Sequence, residues 1–207
     1  ANENRYIEAQ LVGLGFDFVD GTPTLAFAGG DDDGHPQQVG MGDLVIAERN
    51  GGAWSGRTVV AGSGEAGGTC LDETNYCAEG QAGHVGLRAH VRAGPAPGQV
   101  AITYKDEHFR FGSEDFSSAD VEVYEEGPGA QHLMVDGGRS GGDRTSIAFT
   151  SDGRTVVAYT LDQPETSVWV AVEAEGDYVR SQISDDTARH RIAVDVAPDG
   201  TIWVAYY

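Results

Sequence analysis

The sequence predicts an all-β chain assembled from a repeated four-stranded unit, and three observations carry that prediction. Apolar and polar residues alternate with period two over many short segments. No segment sustains the 3.6-residue apolar period of an amphipathic helix, and a hairpin with a glycine turn recurs along the 207 residues. The hairpin is plainest at Ser146–Thr160 (SIAFTSDGRTVVAYT) and Arg191–Tyr207 (RIAVDVAPDGTIWVAYY). It returns at Leu87–Tyr104 (LRAHVRAGPAPGQVAITY) and, more weakly, at Phe16–Phe27 (FDFVDGTPTLAF). Its turn glycines, Gly21, Gly98, Gly153 and Gly200, are 77, 55 and 47 residues apart. The shortest interval is close to one four-stranded propeller blade without insertions.

The elements follow in order, with strands A to D running from the inside of each unit outward. NRYIEAQL aligns with the later DYVRSQI, so residues 1–11 are expected to be the outer strand of a preceding blade. After each glycine-turn hairpin comes a second alternating pair: DLVIAERNGG with AWSGRTVV, DVEVYEEGPG with AQHLMVD, and SVWVAVEAEG with DYVRSQI. Asn50-Gly51-Gly52, Gly127-Pro128-Gly129 and Glu175-Gly176-Asp177 are the connectors, rich in residues that tolerate hairpin turns. The expected architecture is a β-propeller segment with three complete four-stranded antiparallel blades (12–60, 84–136 and 143–183) and an incomplete fourth at 189–207. The terminal pieces together lack a strand C. A companion polypeptide, the rest of the same precursor, is therefore the expected completion of the propeller.

The hairpins resemble those of secreted bacterial β-propellers, whose blades carry SxAxDxDGxxxVAYYD-like segments. The likeness is strongest over Asp143–Tyr207. It implies architecture and leaves activity open, because propellers host many unrelated functions. Recurring aromatic positions, Tyr104, Tyr159 and Tyr206 near the ends of B strands, read as packing between blades. Trp169 and Trp203 read the same way.

A net charge of −20, from 33 acidic and 13 basic residues, argues against a nucleic-acid partner. No apolar run approaches the roughly 18 residues of a membrane-spanning helix, so no membrane span is expected. Cys70 and Cys77 flank a polar stretch among glycines, and a local disulfide there implies an oxidising compartment. The chain is accordingly expected to be secreted, periplasmic or on the cell surface.

Length is concentrated in B–C loops 29–42, 105–119 and 161–166 and in D–A loops 61–84, 137–143 and 184–190, which share one face of such a disc. These 73 residues carry 16 acidic and 4 basic side chains. Asp31, Asp32, Asp33, Asp72, Glu73, Asp106 and Glu107 are candidate oxygen ligands there, and Ca²⁺ is the ion such a set takes. His35, His84, His108 and His190 are candidates for a transition metal, brought together only by the fold. His90 and His132 fall within strands. No catalytic residue is identified.

The sequence thus points to a non-catalytic extracytoplasmic module that binds a protein or glycan through its acidic long-loop face. The alternatives are a sialidase-like glycoside hydrolase acting at the channel mouth and a structural part of a larger multichain assembly. Ser151-Asp152-Gly153-Arg154-Thr155 departs from the Ser-x-Asp-x-Gly-x-Thr-Trp spacing of sialidase repeats.

Overall fold

The computed structural model describes residues 14–30, 42–60, 81–110, 116–137, 141–161, 166–185 and 191–207. Those residues are all β. The first sheet runs β1 (Leu14–Val19), β2 (Thr22–Gly30), β3 (Gly42–Asn50) and β4 (Ala53–Val60). The second runs β5 (Gln81–Ala93), β6 (Val100–Arg110), β7 (Phe116–Glu126) and β8 (His132–Asp136). The third runs β9 (Gly141–Phe149), β10 (Thr155–Leu161), β11 (Ser167–Ala174) and β12 (Asp177–Ser184), and a hairpin, β13 (Ile192–Val196) and β14 (Ile202–Tyr206), follows. Each sheet is an antiparallel meander in chain order.

The turns explain the registers. Asp20 and Gly21, with φ of 49° and 79°, form a two-residue connection that pairs Val19 with Thr22. Positive φ at both central residues is the demand of a type I′ turn, and Asp-Gly meets it. The third sheet and the final hairpin share another, longer turn. In one, Gly153 N donates to Thr150 O at 3.0 Å and Thr150 N to Arg154 O at 2.9 Å. In the other, Gly200 N donates to Ala197 O and Ala197 N to Thr201 O, both at 2.9 Å.

The sheets stack in sequence order, because each has apolar residues on both faces. Strand β5 packs across β1, β2 and β3, β9 across β5, β6 and β7, and β13 across β9 and β10. Three clusters fill the seams. Leu44, Ile46, Ile102 and Tyr104 anchor the first, Val121, Val135, Ile147 and Tyr159 the second, and Val156, Val168, Ile192 and Val194 the third. This succession of four-stranded antiparallel sheets is consistent with blade repeats.

A polar contact recurs between neighbouring inner strands. Ile147 N donates to His90 Nδ1 at 3.3 Å, and at the matching position one unit later Val194 N donates to Ser146 Oγ at 3.1 Å. In the first sheet the matching place belongs to Gly15. A Cβ there would lie 2.6 Å from Val91 N and 2.9 Å from His90 Cα. Arg92 of β5 also reaches Asp195 of β13 at 3.6 Å, past the intervening inner strand.

Three expectations change. The 105–119 loop is mostly strand, since β6 continues to Arg110 and β7 starts at Phe116, while β5 already begins at Gln81. Charged Lys105 and Asp106 read as loop residues in the sequence, yet both are buried, and Lys105 Nζ pairs with Asp143 Oδ1 at 2.5 Å. Trp203, expected in the core, is 66% exposed on the hairpin face turned away from the third sheet. Tyr104 and Tyr159 are fully buried between sheets, whereas Tyr206 is 37% exposed. No helix among the described residues is long and apolar enough to cross a membrane.

Candidate functional site

Most residues singled out as metal ligands, Asp31, Asp32, Asp33, His35, Asp72, Glu73 and His190, lie outside the described residues, as do Cys70 and Cys77. His84 sits opposite Glu107 on β5 and β6, and His108 opposite Gly83, by backbone register alone. Asp106 is buried on β6 opposite buried Asp120 of β7. Among the described residues no three or more His, Cys, Asp or Glu side chains gather as a metal site requires.

His132 and His90 serve the packing between and within the sheets. His132 Nε2 lies 2.6 Å from the Tyr104 hydroxyl and 3.3 Å from Glu122 Oε2, and the Tyr104 hydroxyl also donates to Glu122. Burial first, then the charge of Glu122, raises the Tyr104 phenol far above its ordinary range, so this network is a locked structural contact. Burial likewise lowers His90, keeping its imidazole neutral to accept the Ile147 amide.

The described residues do form a groove, at the end of the sheets that carries their short turns. It is an open cleft of about 450 Å³ between the short turns of the second and third sheets. Pro95, Ala96 and Gln99 line it from the β5–β6 turn, Glu125, Pro128, Gly129 and Gln131 from the β7–β8 turn. Ser151 to Arg154 and Glu173 form the facing wall. Such a volume falls in the ordinary range for small-ligand sites.

Two carboxyl groups meet there in different states. Glu173 is engaged at both oxygens, with room for one more donor at Oε1: Thr155 N and Thr155 Oγ1 each donate to its Oε2 at 3.1 Å, and Gln131 Nε2 to its Oε1 at 3.2 Å. Glu125 is 8% exposed and its Oε1 has no hydrogen-bond partner. Burial, then the charge of Glu173, pushes its carboxyl up to about 7 against the pull of the Thr155 hydroxyl. Arg154 does not neutralise the pair, because its Nε donates to Asp152 Oδ2 at 2.9 Å and its Nη1 reaches only the Glu173 carbonyl, at 3.5 Å.

The repeat gave no signal for this site. With Tyr104 paired to Glu122 and Tyr159 to Trp169, Glu173 corresponds to Glu126, and Glu125 to Val172, so the two groove carboxyls come from opposite faces of their sheets. Only stacking brings the two side chains to one groove.

A pH signature follows. Glu125 keeps its proton in the folded chain to about pH 7, but loses it near 4.5 when unfolded. The folded state therefore binds more protons between those values. The stabilisation is complete below about pH 4.5 and is lost as pH rises through about 7. Urea midpoints should fall across that window. Glu125→Gln should flatten the fall and gain on the order of 2 kcal/mol over the parent at neutral to mildly alkaline pH. An unchanged slope in the variant would assign the fall to other groups.

No family model and no curated protein matches the chain.

Proposed function

We propose that the chain is a segment of a secreted, periplasmic or cell-surface β-propeller and works as a binding module without catalytic activity. The propeller reading is supported by three four-stranded meanders and a fourth hairpin that stack in chain order with β5, β9 and β13 successive at the seams. A companion polypeptide supplying further strands and a Cys70–Cys77 disulfide belong to the same reading. So do a protein or glycan ligand and, on the acidic loops, Ca²⁺.

One observation favours binding over hydrolysis. A glycosidase needs one carboxyl group to give up a proton and a second free to attack or to activate water. Glu125 has the character of the first, but Glu173 is tied through both oxygens by Thr155 and Gln131 and serves as an anchor.

The test pairs a panel of glycans and cationic proteins in a binding assay with aryl-glycoside hydrolysis. The expected result is saturable binding without turnover. Turnover abolished by Glu125→Gln would replace this reading with the hydrolase. Peptide mapping without reductant should place Cys70 and Cys77 in one crosslinked peptide. Two alkylatable thiols would remove the disulfide.

A further inference from the structure

The groove between the β5–β6, β7–β8 and β9–β10 turns has a chemistry that narrows its ligand. Its walls present acceptors. Glu125 Oε1 is buried and lacks a donor, and Glu173 brings a second carboxylate. Gln131 turns its amide nitrogen toward Glu173, which leaves its carbonyl oxygen as an acceptor. Among the nearby donors, Gln99 Nε2 goes to Gly153 O at 3.1 Å, and Arg154 turns its Nε to Asp152 Oδ2 at 2.9 Å, which offsets its charge. The acceptors outnumber the donors, which favours a ligand that brings hydrogen-bond donors and positive charge.

We propose that this groove receives an alkylammonium group, the head of a lysine side chain or of a free polyamine, held between Glu125 and Glu173. This rests on the reading of the chain as a binding module and names the chemistry of one of its sites. The two carboxyl groups come from different sheets, so the acceptors converge from opposite walls. A tetrahedral –NH₃⁺ with three donors satisfies acceptors arranged that way, whereas a guanidinium prefers acceptors in one plane. Pro95, Pro128 and the small residues Ala96, Gly129 and Gly153 leave apolar surface for the methylene stem. Acidity over the whole chain, −20, raises the local concentration of any cation.

Proton linkage makes the site distinguishable from a merely acidic surface. The groups that face Glu125 are Glu173 of β11, Thr155 of β10, Tyr178 of β12, and Arg154 and Asp152 of the β9–β10 turn, with Gln99 and Gln131 at the sides. Glu126, its neighbour, points to the other face and pairs with Arg57. Bound ammonium favours the ionised form of Glu125, so binding displaces its proton. The amine itself remains charged up to about pH 10. Affinity should therefore weaken as pH falls below about 7, far above the range in which exposed carboxylates titrate.

The experiment is a calorimetric titration of the whole chain at low salt with Nα-acetyl-lysine methylamide, spermidine and the neutral acetyl-norleucine methylamide. The expected result is saturable binding of an amine near pH 8, about tenfold weaker near pH 5.5, with proton release to the buffer. Norleucine should show none. Tighter binding of the lysine derivative assigns the site to a protein partner's lysine, and tighter binding of spermidine to a free polyamine. Glu125→Gln, close in shape and uncharged, should weaken binding at pH 8 by about tenfold or more and flatten the pH profile. Equal affinity and an equal profile in the variant, or no saturation by either amine, overturns the proposal. Displacement of the amine by Ca²⁺ at lower concentration would overturn it in favour of a cation site. These outcomes are separate from glycoside turnover, which tests the binding-module reading itself.

Discussion

Tyr159→Ala should unfold the chain or cost about 4 kcal/mol, read as the shift of a urea unfolding midpoint. Tyr159 has no exposed surface, sits in the seam between the second and third sheets, and reaches across it to donate to Asp136 Oδ2 at 2.8 Å. The substitution leaves a ring-sized cavity and withdraws the donor at once. Tyr159→Phe separates the two effects. The ring stays, and Asp136, 4% exposed, is left with Arg180 Nη1 at 3.4 Å among the contacts described. Its cost should be about 1–3 kcal/mol, the penalty of under-satisfying a buried acceptor. A Phe variant as stable as the parent would show that the hydroxyl does not help to hold the two sheets together.

Gly15→Ala should also destabilise, by about 2–3 kcal/mol, and here the sign is the test. Glycine in a strand interior ordinarily costs about 0.5–1 kcal/mol relative to alanine, so an idle glycine would give a gain on replacement. At Gly15 the added Cβ would meet Val91 N at 2.6 Å and His90 Cα at 2.9 Å. Both are backbone atoms of β5, which no rotamer change moves aside, so the two sheets must separate. A variant more stable than the parent would contradict the close approach of β1 to β5.

The strands were legible because one face of each alternates, and the turns because their positive-φ positions fall on glycines such as Gly21, Gly153 and Gly200. The length of β6 was not. Lys105 and Asp106 carry the polarity of a loop, and only contacts such as Lys105–Asp143, between sheets and invisible to local pattern, justify their burial. Trp203 failed for the opposite reason: its apolar character is that of a core residue, but its position on β14 faces away from the third sheet. The groove was least legible. Its polar lining residues look like ordinary turn-flanking residues, and their juxtaposition depends on how one meander lies on the next. The expected metal ligands on the long loops offered composition without a spaced motif. Of them, Asp106 alone lies where its side chain is described, on a strand beside Asp120 rather than on a loop.

Stacking in chain order makes the molecule energetically a one-dimensional array. Stability is then chiefly a sum of what each sheet contributes alone and what each seam adds, with contacts such as Arg92–Asp195 adding a weak coupling past one sheet. The second sheet is gripped on both faces. The first leaves Leu14, Phe16 and Phe18 more than half exposed on its outward face, and the last hairpin leaves Trp203 so. Opening is therefore cheapest at the two ends and dearest in the middle. Amide exchange should be fastest in β1 and in β13–β14 and slowest in β6 and β10, a gradient along the chain rather than a single melting event.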